Sequence, residues 1–304
     1  MDTEFSVSFG LKEDEALCGA AAAAVFDRLD AVELLLSRFN DSSDVAVIRA
    51  LKPGQVATVA AETMDVLTLA TRLCAATGGA FDPTVGPIMD RLRTRGVTWA
   101  ALSEDEKADA FARGGMQRLV LDVANRRVAV EPDAQGRDTP LELDFGGIGK
   151  GFALDVCAKI LQSEQFEIGS CLLDAGTSTL LAWGDRREPG EGWPLGVGGV
   201  WKAQTKIDTV VHLTQGAALS GSGFEIQGQH VVDVRRRGAA AQWRQTWSWH
   251  PSSAALADGL STAALALEPA ELTAACRALD ARVLVARATD SFWTRLRDPL
   301  RWYP

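Results

Sequence analysis

Leu143-Asp144-Phe145-Gly146-Gly147-Ile148-Gly149-Lys150-Gly151 joins an apolar run, Leu141–Phe145, to a helical pattern, Gly147–Leu161. Glycines between a strand and a helix start present free N–H groups and the positive helix end to an anion. A glycine-rich structural turn with a surface lysine fits the same residues. The spacing is not the Rossmann GxGxxG, and it is not a Walker P-loop, since no Ser or Thr follows Lys150. With neither fingerprint present, the flanking elements decide the fold class.

Those elements alternate irregularly. Glu4–Phe9 alternates apolar and polar residues and predicts a strand. Ala20–Phe39 carries Val25, Leu29, Val32, Leu35, Leu36 and Phe39 at helical spacing. Asn40–Asp44 is a turn cluster. A second helix spans Ala61–Ala76 and stops at Gly78-Gly79, a C-cap pattern. Ser103–Ala112 opens with a capping box, Ser103 and Glu106. Short strands are expected at Leu119–Asp122, Arg127–Val130, Leu141–Phe145, Cys171–Leu173, Leu180–Trp183, Leu195–Val197, Thr209–Leu213, His230–Val232, Thr246–Ser248 and Arg282–Ala286. Leu256–Leu267 and Pro269–Leu279 read as helices. This mixture favours an α+β fold over a doubly wound parallel sheet. No linker interrupts it, so residues 1–304 read as one domain.

Composition narrows the function. The chain has 304 residues, 47% hydrophobic and 23% charged. Lys+Arg is 31 against Asp+Glu 40, a net charge of −9. A broad basic surface for nucleic acid is excluded, so any phosphate must be held by a few local donors or a metal. No stretch reaches the roughly 18–20 apolar residues that span a bilayer. Ala20–Phe26 is short and lacks a basic segment before it, so no signal peptide is read and a cytoplasmic location is expected. A trimmed leader would instead imply a periplasmic protein. The five cysteines are scattered with no CxxC, which predicts buried free thiols.

Three further segments carry polar residues into apolar surroundings. Gly78–Pro87 (GGAFDPTVGP) is a loop stiffened by two prolines, whose backbone can approach a ligand closely. Ser220-Gly221-Ser222-Gly223 precedes His230-Val231-Val232-Asp233. On a strand, His230 and Asp233 point to opposite faces unless a bend intervenes, so spacing does not require them to be a pair. His230 suits either a structural hydrogen bond or proton transfer near neutral pH. Asp258 and Thr262 are i, i+4 and share a helix face. They fit an N-cap with a helix threonine, or two oxygen ligands of a hard cation completed from elsewhere.

In this order the four segments resemble the ApbE family of FAD:protein FMN transferases. Gly78–Pro87 is similar to the family's GGxFDPTxGP loop, Leu143–Asp155 to its LDxGGIxKGxxxD segment, and Leu219–Gly221 to its TSG turn. His230–Val234 is similar to HIIDP, and Asp258–Thr262 to DxxxT. Met1–Phe5 and the Ser37–Asp44 region also resemble family segments, so the likeness covers about residues 1–290.

The resemblance implies an α+β T-fold with mixed or antiparallel sheets flanked by helices. It implies cleavage of FAD and transfer of FMN to a Ser or Thr hydroxyl of an acceptor protein, with AMP released. Mg2+ would be held by Asp258, Thr262 and the carbonyl of Gly147. Met1, Ala80, Phe81, Asp82, Asp144, Lys150 and Val232 would line FAD, with Phe39 beside the isoalloxazine. His230 would stabilise phosphate or deprotonate the acceptor hydroxyl.

The chain departs from the pattern at Asp2, Leu219, Phe224 and Val234, and Asp174-Ala175-Gly176-Thr177 replaces an expected glycine pair. These departures touch the flavin pocket and acceptor groove more than the metal residues. No acceptor motif for self-modification is present. FAD pyrophosphatase action, giving FMN and AMP, and non-catalytic FAD binding use the same residues. An electron-transfer role is disfavoured, since nothing specifies a nicotinamide site.

Overall fold

The computed structural model describes residues 3–94, 99–176, 178–197, 209–223, 232–239, 243, 245–286 and 301–303. Its helices are α1 (Glu15–Leu36), α2 (Asp44–Ala50), α3 (Ala61–Ala76), α4 (Gly86–Met89), α5 (Glu104–Arg113), α6 (Gly149–Leu161), α7 (Ala254–Ala264) and α8 (Pro269–Leu279). Its first strands are β1 (Phe5–Phe9), β2 (Val56–Thr58), β3 (Leu119–Asp122), β4 (Arg127–Val130), β5 (Cys171–Ala175), β6 (Thr179–Trp183) and β7 (Trp193–Val197). The remainder are β8 (Thr209–Leu213), β9 (Ala217–Gly223), β10 (Val232–Asp233), β11 (Gly238–Ala239), β12 (Gln245–His250), β13 (Arg282–Ala286) and β14 (Arg301–Tyr303).

Among the described residues the main sheet runs β1-β5-β6-β9-β12-β13-β14, every pair antiparallel. A smaller antiparallel sheet, β2-β4-β3, places Val128 and Val130 in the same core. The fold is α+β, as expected, and no parallel pair occurs among the described strands.

The two faces of the main sheet differ. One carries Leu173, Leu181, Ala218 and Val283, and packs on α6 and α7. Strand alternation also puts Thr179, Ser220, Thr246 and Ser248 on this buried face. The other carries Leu172, Leu180, Leu219, Trp247 and Trp249, covered by the β7–β8 hairpin through Trp193, Val197 and Leu213. Trp193 anchors that hairpin by donating its indole N–H to the Trp183 carbonyl, 3.0 Å away.

Helix boundaries follow local chemistry. The α1 helix starts at Glu15, because Asp14 accepts the Leu17 N–H at 2.9 Å, and it ends at Leu36. Phe39 therefore lies beyond the helix expected to contain it. Ser43, expected only as part of a turn, is the N-cap of α2, which the sequence pattern did not reveal. The α3 helix ends as expected: Gly78 and Gly79 take φ of 56° and 82°, and the Gly79 N–H reaches back to the Cys74 carbonyl. The Ser103–Glu106 capping box is present. Ser253 caps α7, so Asp258 is interior to that helix and not its N-cap.

Leu141–Phe145 forms no strand. Its partner, Pro83–Gly86, is interrupted by proline and supplies only isolated contacts, Asp144 N–H to Pro83 O and Gly86 N–H to Glu142 O. Conversely, Leu219–Gly221, which the resemblance likens to a turn, lies inside β9. All five cysteines are free, with Cys157, Cys171 and Cys276 buried. Burial pushes the Cys157 thiol up to about 12. Among the described residues no helix is long and apolar enough to cross a membrane.

Candidate active site

The N-terminus of α6 has no side-chain cap of its own. The Gly151 N–H instead donates to Oδ2 of Asp258, 3.1 Å away and 107 positions later in the chain. Asp258 is 2% exposed. The anion expected at this helix start is thus, in part, a carboxylate from α7. Lys150 stands over the same group, with Nζ 3.5 Å from Asp258 Oδ1 and 3.3 Å from the Gly146 carbonyl. Gly147 lies against Thr262: a Cβ at Gly147 would meet Thr262 Oγ1 and Phe81 Cε2, each at 3.4 Å. The structure therefore brings Gly147, Lys150, Asp258 and Thr262 together.

Two devices hold α6 and α7 at this spacing. Asp155 accepts hydrogen bonds from Ala254 N–H at 2.6 Å, Ala255 N–H at 3.0 Å and the Ser253 hydroxyl at 2.9 Å. It ties the middle of α6 to the start of α7 and offsets that helix's positive end. Gly151 permits the approach, because a Cβ there would overlap the Ala254 backbone.

Beneath the cluster lies a group of hydroxyls that sequence reasoning did not assign to the site. Ser220 Oγ is 2.9 Å from Thr179 Oγ1, and it lies 3.3 Å from Asp258 Oδ1 and from Ser261 Oγ. Ser222 Oγ is 2.8 Å from Ser261 Oγ and 3.3 Å from Thr262 Oγ1. The signal available was two serines at i, i+2 in an apolar strand, and Ser261 one turn after Asp258.

The Gly78–Pro87 loop forms the adjoining wall. Phe81 is buried, its N–H donates to Thr77 Oγ1 at 3.1 Å, and its ring edges both Gly147 and Gly259. Ala80 is buried beside it. Asp82 accepts from the Thr84 N–H at 2.8 Å and the Thr84 hydroxyl at 2.6 Å, and Thr84 Oγ1 accepts from the Gly115 N–H at 2.5 Å. Burial raises the Asp82 pKa, against those hydrogen bonds. This carboxylate organises the loop.

Asp144 accepts from the Gly146 N–H at 2.8 Å and pairs with Arg38 at 3.6 Å. The Arg38 guanidinium also sits over the Phe39 ring, 4.7 Å from its centroid, and Phe39 is 76% exposed. Through Arg38, then, Phe39 is linked to the glycine-rich segment. Val232 packs with Ile88 and Ala110 in a small separate core. Met1 and His230 lie outside the described residues. Of the other histidines, His250 is buried and accepts the Ser252 N–H at 3.1 Å on Nδ1. Burial lowers its pKa, the setting of a structural, neutral imidazole.

Asp258, Thr262 and the Gly147 carbonyl would offer a metal only oxygen atoms: one carboxylate, one hydroxyl and one carbonyl. That set suits a hard cation which keeps waters and phosphate oxygens as further ligands. Among the described residues no group of three or more His, Cys, Asp or Glu is arranged to hold a metal.

The fold is antiparallel α+β, and its glycine-rich helix start faces a buried Asp258 and a half-buried Thr262. The ApbE family model matches residues 1–285, and the chain belongs to the ApbE family. The FAD:protein FMN transferase of Klebsiella pneumoniae is 28% identical over 229 residues, covering 72% of this chain and 63% of that protein. The chain thus spans about three-fifths of the length of such curated relatives. In fold it is similar to the flavin transferase ApbE from Vibrio cholerae, with TM-score 0.78, 19% identity, and coverage of 100% of this chain and 94% of that one. It is also similar to the Pseudomonas stutzeri flavinyl transferase ApbE in its apo form, with TM-score 0.73, 22% identity and 93% coverage of both chains.

Proposed function

We propose that this protein transfers FMN from FAD to a Ser or Thr hydroxyl of an acceptor protein, with Mg2+ bound at Asp258, Thr262 and the Gly147 carbonyl. The observation that carries the reading is the convergence on Asp258. Gly151 N–H at 3.1 Å and Lys150 Nζ at 3.5 Å come from one motif, and the Asp258–Thr262 pair comes from another. Family membership and the curated relatives' activity give that convergence its chemistry.

In the proposed reaction the acceptor hydroxyl oxygen attacks the FMN phosphorus. The P–O bond to the bridging oxygen breaks, AMP leaves with that oxygen, and the hydroxyl proton is released. When bound, the metal would supply charge neutralisation for the pyrophosphate. Lys150 adds a cation beside it, and this matters in a chain of net charge −9. The start of α6 directs backbone N–H groups and its positive end to the same place. Phe81 and Ala80 exclude water from the Gly147 side. Phe39 and Arg38 offer a ring and a guanidinium at the open side, where the isoalloxazine would rest. His230 is the proposed acceptor of the hydroxyl proton.

The test is direct. The purified protein is incubated with FAD, Mg2+ and a protein bearing a flavinylation sequence. Covalent fluorescent FMN on the acceptor, with stoichiometric AMP, is the expected result. AMP without labelled acceptor would establish pyrophosphatase action instead. Bound FAD that is never cleaved would leave a flavin-binding protein and end the enzyme reading.

A further inference from the structure

We infer that Ser220 and Ser222 are positioning residues for the Asp258–Thr262 pair; the inference rests on reading that pair as metal ligands. The two serines are i, i+2 on β9, so they share the sheet face that meets α7. Asp258, Ser261 and Thr262 are i, i+3 and i+4 on α7, so they share the helix face that meets β9. The two periodicities meet in register. Ser220 lies 3.3 Å from Asp258 Oδ1, and Ser222 lies 3.3 Å from Thr262 Oγ1. Ser261 sits between them, 3.3 Å from Ser220 and 2.8 Å from Ser222.

The proton inventory gives this arrangement a direction. A carboxylate only accepts, so the Ser220 hydroxyl donates to Asp258 and is left to accept from Thr179, 2.9 Å away. Thr179 and Ser220 are both 0% exposed, so water does not compete for either bond. Ser261 donates to the Asp258 carbonyl at 2.8 Å, which leaves its oxygen to accept from Ser222.

Asp258 is therefore gripped on both oxygens, Oδ2 by the Gly151 N–H and Oδ1 by Ser220. Hydrogen bonds to both oxygens favour one orientation of the carboxylate. Partners behind a ligand set its orientation, and their loss weakens metal binding without removing the ligand. Thr246 serves as an internal control. It is as buried as Ser220 and bonds the Ser261 carbonyl at 2.5 Å, with no bond to Asp258 or to the Thr262 hydroxyl.

The experiment measures Mn2+ binding to the full chain by electron paramagnetic resonance, with and without ADP as a pyrophosphate, alongside thermal melting. Ser220→Ala should weaken Mn2+ about tenfold, and Ser222→Ala by a smaller factor. Thr246→Val should lower the melting temperature and leave Mn2+ affinity at the wild-type value. Wild-type affinity in both serine variants overturns the inference, and so does equal weakening in Thr246→Val. If Ser220→Ala does not fold, Ser222→Ala decides alone. Asp258→Ala separates the two levels. If wild type and Asp258→Ala take up Mn2+ alike, or neither takes it up, the metal reading fails and the positioning role with it.

Discussion

The two halves of the candidate site are built differently. Lys150, Asp258 and Thr262 stand on α6 and α7, backed by a sheet whose Thr179, Ser220, Thr246 and Ser248 hydroxyls are fully buried. The residues proposed to face the flavin, Ala80, Phe81, Asp82, Asp144 and Phe39, stand on loops, held by side-chain hydrogen bonds and the Arg38–Asp144 ion pair. Regular elements place atoms more precisely than loops do, and charge chemistry needs that precision more than ring stacking does. The contrast predicts that changes in the helix half cost catalysis or folding outright. Changes in the loop half should tune affinity.

The largest expected effect is at Asp258. Asp258→Ala removes the proposed ligand and should lower FAD cleavage by about a thousandfold, the scale of several kcal/mol of charge stabilisation. Product AMP, followed chromatographically, is the measure. Cleavage within about threefold of wild type would remove Asp258 from the mechanism, since each tenfold is only about 1.4 kcal/mol.

Next comes the helix spacing itself. Gly151→Ala would ordinarily favour a helix interior, but here the added methyl overlaps the backbone of Ala254 and Ala255. The expected outcome is net destabilisation of about 1–3 kcal/mol, seen in chemical denaturation, together with weaker Mn2+ binding. A variant as stable as wild type would mean that α6 and α7 tolerate separation.

How much of this was legible in the sequence depends on the kind of residue. The α+β class, the cap at Gly78-Gly79 and the capping box at Ser103 were readable, because each rests on a local pattern. The Asp258–Thr262 face was readable from spacing alone. The link from Asp258 to Gly151 was not, because it joins positions 107 apart. Ser220 and Ser222 stood out as polar residues, but their place behind Asp258 and Thr262 was hidden for a different reason. Two glycines among them imitate a turn, and only pairing with β6 and β12 makes them a strand. The Leu141–Phe145 run misled in the opposite sense: its apolar residues are buried as expected, but Pro83 denies them a ladder. Phe39 matched a helical period and yet lies past the helix end at Leu36.

Phe39 gives the test from the loop half. Its exposure predicts almost no stability change for Phe39→Ala, within about 0.5 kcal/mol. Loss of an offset-stacked ring should weaken FAD binding by about three- to tenfold, followed by flavin fluorescence. Unchanged affinity would place the isoalloxazine elsewhere.

The smallest expected effect tests one of the departures from the family pattern. Asp174, on β5, is partly buried, and its Oδ1 has no hydrogen-bond partner. Burial, helped by the charge of Glu4, pushes its carboxyl up to about 6. A raised carboxyl binds a proton more tightly in the folded chain than in the unfolded one. Between the unfolded value near 4 and the folded value near 6, folding therefore takes up protons, and stability falls as pH rises. Above that window the ionised carboxylate, with Oδ1 unpartnered, costs the fold a penalty that solvent at this partly buried site reduces. Asp174→Asn keeps the shape and removes the charge. It should melt slightly higher than wild type at about pH 8, with the gap closing through pH 6 and vanishing near pH 4. A gap of constant size across that range would assign the effect to the amide's own hydrogen bonds and not to the charge.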